Sequence, residues 1–318
     1  MRLLAFVLLT GTLPLAGADK DFNGRWDITV KQESRSRAWW LEVTGAGTPE
    51  IKGRFVGAPG GDMDNVPQIA VKNGELEFVF ERRYRQQRGD PGPTGKGVYR
   101  ARLEGGVLRG TFEVTGDPKS KLEWIGKRAP VIKDKDDGKW KPGKPVELFN
   151  GENLTGWSAM IPGRPLGWEV VDGIMKNTAG ANNLVSEPKF WNYNLHVEFR
   201  LGAKTNGGIG LRGRYEVQVL EDFGRPPNTH SAGALYSRIA PSVNASLPPG
   251  QWQTYDITLI GRTVTVVFNG KTVIDKGEIE GLTAMANNAD EGEPGPISLQ
   301  GDHGPVEIRK LTVTPLSR

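Results

Sequence analysis

Glu216 and Gln218 stand two residues apart in the run Tyr215-Glu216-Val217-Gln218-Val219-Leu220, and Glu221 and Asp222 follow directly. In an extended strand, alternation turns Tyr215, Val217 and Val219 to one face and Glu216, Gln218 and Leu220 to the other. The first face is apolar and belongs in a core. The second carries a carboxylate and an amide, groups that bind ligand hydroxyls and, in the case of the carboxylate, move protons. Paired carboxylates also cleave glycosidic bonds, their separation deciding between inversion and retention. An ordinary solvated sheet face shows the same alternation, so the strand alone does not choose between the two readings. Glu216 and Glu221 lie about 17 Å apart on a fully extended strand. They share a site only if the chain turns after Leu220, which Gly224 permits.

Three histidines, His196, His230 and His303, offer the side-chain type most used as acid or base. Their positions show no metal-ligand spacing. The oxygen-rich stretch Asn287-Asn288-Ala289-Asp290-Glu291 is too loose a pattern to predict Ca²⁺. No cofactor and no metal is expected. There is no cysteine, so neither a disulfide nor a thiol for lipid attachment is available.

The elements that must position these residues are strands. The 318 residues suggest two domains, and 43 Gly with 22 Pro favour many turns over long helices. Residues 1–18 read as an export signal, with Arg2, an apolar run over 3–9 and the small residues Ala16-Gly17-Ala18 at the cleavage site. The mature chain then starts near Asp19, in the periplasm or outside the cell. No later run is long and apolar enough for membrane insertion as a helix.

Residues 19–132 read as a small antiparallel β domain, a meander or barrel, with strands at 26–31, 39–44, 50–56, 66–71, 76–81, 98–103, 107–114 and 122–125. Residues 133–145, charged and punctuated by Pro and Gly, read as a linker in which Trp140 stands out. Residues 146–318 read as a second β domain, two stacked antiparallel sheets with strands that include 195–201, 208–211, 215–220, 233–236 and 306–313. Its clearest local signal is Asn269-Gly270 between two alternating apolar runs, which suits a two-residue type I′ hairpin. A helical turn is expected near 283–287.

Residues 19–132 hold twenty Lys and Arg against sixteen Asp and Glu, and residues 146–318 hold fifteen against eighteen. A nucleic-acid footprint needs a stronger basic cluster, so nucleic acid is not an expected partner. The run from Arg82 to Arg88 reads as a solvated hairpin end, since edge charge discourages aggregation. The sequence leaves the oligomeric state open.

Motifs spread from about 146 to 316 resemble one family. They are Leu148-Phe149-Asn150-Gly151-Glu152-Asn153-Leu154-Thr155-Gly156-Trp157, Leu195-His196-Val197-Glu198-Phe199-Arg200, Asn206-Gly207-Gly208-Ile209 and Gly213-Arg214-Tyr215-Glu216-Val217-Gln218. Further along come Gly233-Ala234-Leu235-Tyr236, Gly250-Gln251-Trp252 and Gly295-Pro296-Ile297-Ser298-Leu299-Gln300-Gly301-Asp302-His303-Gly304. Together, in this order, they resemble the DUF1080 family of 3-keto-disaccharide hydrolases, also described as 3-keto-glucoside lyases and hydratases. The family usually has Asn-Ser-Gly at Asn206-Gly207-Gly208 and Asp at Glu221.

The resemblance implies a concanavalin-like jelly-roll β-sandwich with a concave face that takes a carbohydrate. It also implies an exported enzyme that cleaves 3-keto-glycosides by hydrolysis, or by elimination and hydration. A non-catalytic carbohydrate-binding or surface-adhesion protein on the same fold is the alternative. Under the resemblance, Glu216, Glu221 and His303 are the catalytic candidates, while Asn206, Arg212, Arg214, Gln218, Tyr236 and Gln300 are donors or sugar contacts. Trp157 is the expected stacking ring.

Overall fold

The computed structural model describes residues 19–31, 37–57, 61–84 and 94–318. The expected export signal and the 85–88 part of the arginine run lie outside the described residues.

The N-terminal half is nine antiparallel strands: β1 (Gly24–Val30), β2 (Arg37–Thr44), β3 (Lys52–Val56), β4 (Asp64–Asn65), β5 (Gln68–Lys72), β6 (Glu75–Arg83), β7 (Thr94–Glu104), β8 (Val107–Val114) and β9 (Asp117–Arg128). They pair in the order β4-β3-β2-β1-β9-β8-β7-β6-β5, so β4 and β5 form the two ends. Only Val66 and Pro67 separate these two, and Val66 N donates to Gly53 O at 2.8 Å, which draws the sheet into a nearly closed barrel. Phe55 of β3 accordingly touches Phe78 of β6 across the interior, with ring centroids 5.2 Å apart. Trp39, Tyr99 and Phe112 join them and fill the space that an enclosed ligand would need.

The barrel wall also has an apolar outer patch. In β2, Trp39, Leu41 and Val43 point into the barrel, whereas Ala38 and Trp40 point out and are buried against the C-terminal half. Trp40 is stacked by the guanidinium groups of Arg238 at 4.4 Å and Arg54 at 5.6 Å. Gly281 lies so close that a Cβ there would sit 2.1 Å from Trp40 Nε1, which excludes a side chain at that position. Around this contact Arg54 pairs with Glu280 at 2.8 Å, and Arg25 approaches the same carboxylate at 3.8 Å.

The linker, residues 133–145, is bound to the C-terminal half at several points. β10 (Lys141–Pro142) and β11 (Val146–Glu147) pair with the last strand. Asp134 accepts hydrogen bonds from Trp191 Nε1 at 2.7 Å and Asn192 Nδ2 at 2.8 Å, while the Arg318 guanidinium covers Trp140 at 4.9 Å.

The C-terminal half is a jelly-roll sandwich of two antiparallel sheets. Its remaining strands are β12 (Trp157–Ala159), β13 (Trp168–Val171), β14 (Ile174–Asn177), β15 (Leu184–Phe190), β16 (Tyr193–Leu201), β17 (Asn206–Leu211) and β18 (Tyr215–Leu220). Then come β19 (Trp252–Ile260), β20 (Thr263–Phe268), β21 (Lys271–Glu278), β22 (Gly295–Leu299) and β23 (Val306–Ser317). The front sheet runs β12-β15-β22-β17-β18, and the back sheet β13-β14-β23-β16-β19-β20-β21. Leu195, Val197 and Phe199 of the back sheet meet Ile209, Val217, Ile297 and Leu299 of the front in one apolar core.

Asn269 and Gly270 have φ of 49° and 76°, the double left-handed conformation of the expected type I′ turn. Two expectations change. Residues 233–236 form only isolated bridges, Val217 with Leu235 and Leu235 with Ile239, and the 283–287 stretch is a turn closed by Ala286 N donating to Thr283 O at 3.0 Å.

Candidate functional site

The front sheet faces outward with two adjacent rungs of the same composition. Gly210 of β17 pairs with Glu216 of β18 on one side and Ser298 of β22 on the other. One rung along, Gly208 pairs with Gln218, and Gln300 N donates to Gly208 O at 2.9 Å. Each rung thus has a glycine in the middle and polar side chains on both flanks. The glycines provide the floor: a Cβ on Gly208 would lie 2.3 Å from Glu216 Oε1, and one on Gly210 would lie 2.0 Å from Ser298 Oγ. Asn206, on the same face of β17, adds a third polar group at the end of the strip.

These groups point away from the core as alternation predicts, yet they are not solvated. Glu216 and Gln218 are each 3% exposed and Ser298 is fully buried, because loops cover the outer face. Thr283 Oγ1 accepts a hydrogen bond from Glu216 N at 2.9 Å, Met285 packs over Gly210, and Tyr236 N donates to Glu216 O at 2.9 Å. Four oxygens on this strip, Asn206 Oδ1, Gln218 Oε1, Ser298 Oγ and Gln300 Oε1, are buried without a hydrogen-bond partner within the protein. Such groups are rare and costly in a folded chain, and four on one strip make it the candidate site.

Glu216 has a carboxyl pushed up to about 8, first by burial and then by the negative charge of Asp302. Asp302 lies in the turn after Gln300, where Asn183 Oδ1 accepts its backbone N–H at 3.1 Å, and its own Oδ1 is 2.9 Å from His303 Nδ1. His303 thus orients Asp302 and leaves its ring partly open to solvent. Tyr236 completes the rim with its phenol pushed up to about 12 by burial, then by the charges of Asp62 and Glu216.

The structure therefore brings Glu216, Gln218, Asn206, Gln300 and Tyr236 to one face, ties His303 to it only through Asp302, and removes four candidates. Glu221 stands beyond Leu220, which pairs with Asn206, so four to five strand residues separate it from Glu216; its Oε2 accepts Lys204 N at 3.0 Å instead. Arg212 is consumed by structure: its side chain donates to Trp191 O, Gly261 O and Asn192 Oδ1 at 2.6, 2.9 and 3.1 Å. Arg214 likewise donates to Asn288 Oδ1 at 2.8 Å and Glu293 O at 2.6 Å. Trp157 is a core residue whose Nε1 donates to Leu148 O at 2.7 Å, so it offers no stacking face.

Sequence reasoning did not single out Ser298, Asp302 or the two glycines as a unit. Ser298 and Gln300 alternate with the core residues Ile297 and Leu299, the same signal that exposed Glu216 and Gln218. Asn287 to Glu291 do not form a cation cage, since Glu291 accepts both Arg262 nitrogens at 2.7 Å and the Tyr215 hydroxyl at 2.6 Å. Among the described residues, no group of three or more His, Asp or Glu is placed to hold a metal.

The glycine-floored strip of buried polar groups on the front sheet of the jelly roll is the candidate site of this fold. Residues 144–314 match the sequence profile of the 3-keto-alpha-glucoside-1,2-lyase-like domain, more than half of the chain, and the chain belongs to that family. No curated protein matches it. Among solved structures it is similar to three Parabacteroides distasonis proteins named as glycosyl hydrolases by assignment. One shares 26% identity over 59% of this chain and 92% of its own, with a TM-score of 0.46. The others share 19% over 54% and 94% with a TM-score of 0.47, and 21% over 54% and 100% with a TM-score of 0.43.

Proposed function

We propose that the sandwich cleaves the glycosidic bond of a 3-keto-glycoside by elimination and hydration, with Glu216 as the base. The observation that carries this reading is the buried Glu216 carboxyl set in a strip of four buried oxygens without partners in the protein, burial pushing that carboxyl up to about 8. A ketone at C3 acidifies the hydrogen on C2. Glu216 takes that proton, the C1–C2 double bond forms, and the C1–O bond breaks with its electron pair leaving on the aglycone oxygen, which then takes a proton. Addition of water across the double bond returns a 3-keto-sugar. A base with pKa near the working pH combines a useful ionised fraction with enough basicity to abstract a carbon-bound proton. Ser298, whose hydroxyl has no partner within the protein, is the O–H on the strip available to the oxygen that gains charge.

Two measurements test the reading. A panel of 3-keto and ordinary disaccharides should release product only from the keto compounds. With Glu216 as base, kcat/KM should rise with pH to a plateau above about 8; a fall through that pH would make Glu216 a general acid and point to direct hydrolysis.

Export belongs to the same reading and rests on the N-terminal sequence of residues 1–18. Mass spectrometry of the protein from its native host should find an N-terminus near Asp19; an intact Met1 in the mature pool would refute cleavage.

A further inference from the structure

The barrel carries none of the family motifs, yet it reaches the face that holds Glu216. Residues 61–63 lie against the rim of the sandwich. Met63 N donates to Ser237 Oγ at 2.9 Å, and a Cβ on Gly61 would lie 3.1 Å from Ala284 Cβ and 3.9 Å from Tyr236 Cε1. Between them, Asp62 Oδ1 accepts a hydrogen bond from His230 Nε2 at 2.6 Å, and the same carboxylate lies beside the Tyr236 phenol, whose pKa it helps to raise. The rings of His230 and Tyr236 meet edge to face, 5.0 Å apart at 86°. Tyr236 in turn is tied through its backbone N–H to Glu216 O.

We propose that Asp62 is a positioning residue supplied by the barrel, which fixes Tyr236 and His230 at the mouth of the Glu216 site and so completes the site from a second domain. The proposal rests on the reading of Glu216 given above. A plain inter-domain ion pair is the rival explanation, and its energetics are weak. Asp62 and His230 are 52% and 46% exposed, and pairs so open to water contribute little to docking. The buried Trp40 contact and the Glu280 ion pairs already hold the two halves together. What the carboxylate adds is direction, because it holds His230, whose ring in turn meets Tyr236 edge to face.

The test compares the full-length protein with Asp62→Asn, Asp62→Glu, Glu280→Gln and Glu216→Gln. Misplacement of the Tyr236 and His230 rim should cost Asp62→Asn about tenfold in kcat/KM, mostly in kcat, with recovery to within about threefold in Asp62→Glu. Glu280→Gln, which loosens docking away from the rim, should stay within about twofold of the parent. Ultraviolet titration of the Tyr236 phenol, identified by its loss in Tyr236→Phe, should move to lower pH in Asp62→Asn because a negative neighbour has been removed. Unchanged kcat/KM in Asp62→Asn while Glu216→Gln is inactive would overturn the proposal. Full activity in Glu216→Gln would overturn the reading of Glu216 instead. The phenol titration alone would then decide, an unmoved titration refuting the role of Asp62 and a downward shift upholding it.

Discussion

Glu216→Gln should lower kcat on a 3-keto-disaccharide by about 10³-fold and leave its affinity within a few-fold of the parent. Glutamine fills nearly the same volume over Gly208 and still reaches hydroxyl partners, so binding survives, but it cannot take a proton from carbon. The same substitution should stabilise the protein at alkaline pH. In the fold the Glu216 carboxyl titrates near 8 rather than near its ordinary 4.5, because burial and Asp302 disfavour the charge. Between those two values the unfolded chain has released the proton and the folded chain still holds it, so stability falls as pH rises and levels off above about 8. Glutamine has no such dependence, and denaturation midpoints should show Glu216→Gln gaining on the parent from pH 5 to pH 9 by roughly a few kcal/mol. Parent-like activity, or a pH-independent difference in stability, would remove Glu216 from the role given to it.

The second large effect is expected at Gly208. A methyl group there would stand 2.3 Å from Glu216 Oε1 and 3.0 Å from its Cδ, closer than nonbonded atoms approach. The backbone at Gly208 has no positive φ, so alanine suits the strand and the fold should persist. The carboxylate has to move by more than about 1 Å, a displacement that costs about 10²-fold in kcat/KM. Gly202→Ala is the control, since a Cβ there meets only Thr205 Oγ1 at 3.6 Å. Circular dichroism and kinetics of the two variants should separate a displaced base from a damaged sheet. If both alanine variants match the parent, the glycine floor has no function.

The parts legible in the sequence were those governed by local rules. Alternation in 215–220 placed Glu216 and Gln218 on the face away from the core, and Asn269-Gly270 announced its turn. The strand Leu184–Phe190 escaped notice because Glu187, Pro188 and Lys189 break its apolar pattern at a register shift against β22. Burial of the strip was not legible, since the covering residues Thr283, Met285 and Tyr236 come from distant loops. Arg212 and Arg214 resembled anion or sugar contacts, and only the folded chain shows that backbone carbonyls and loop amide oxygens occupy them. Asp62 had no local signal at all, because its partner His230 is 168 residues away. Trp40 is a milder case: it was read within a strand, and only the folded chain shows that its face of β2 lies outside the barrel.

The account turns on proton abstraction from C2 by Glu216. It is tested most directly by incubating the protein in deuterium oxide with a 3-keto-glycoside and following C2 by NMR. Released and recovered sugar should carry deuterium at C2 with the parent protein and retain hydrogen with Glu216→Gln. Glycosidic cleavage by the parent with the C2 hydrogen fully retained would contradict the mechanism.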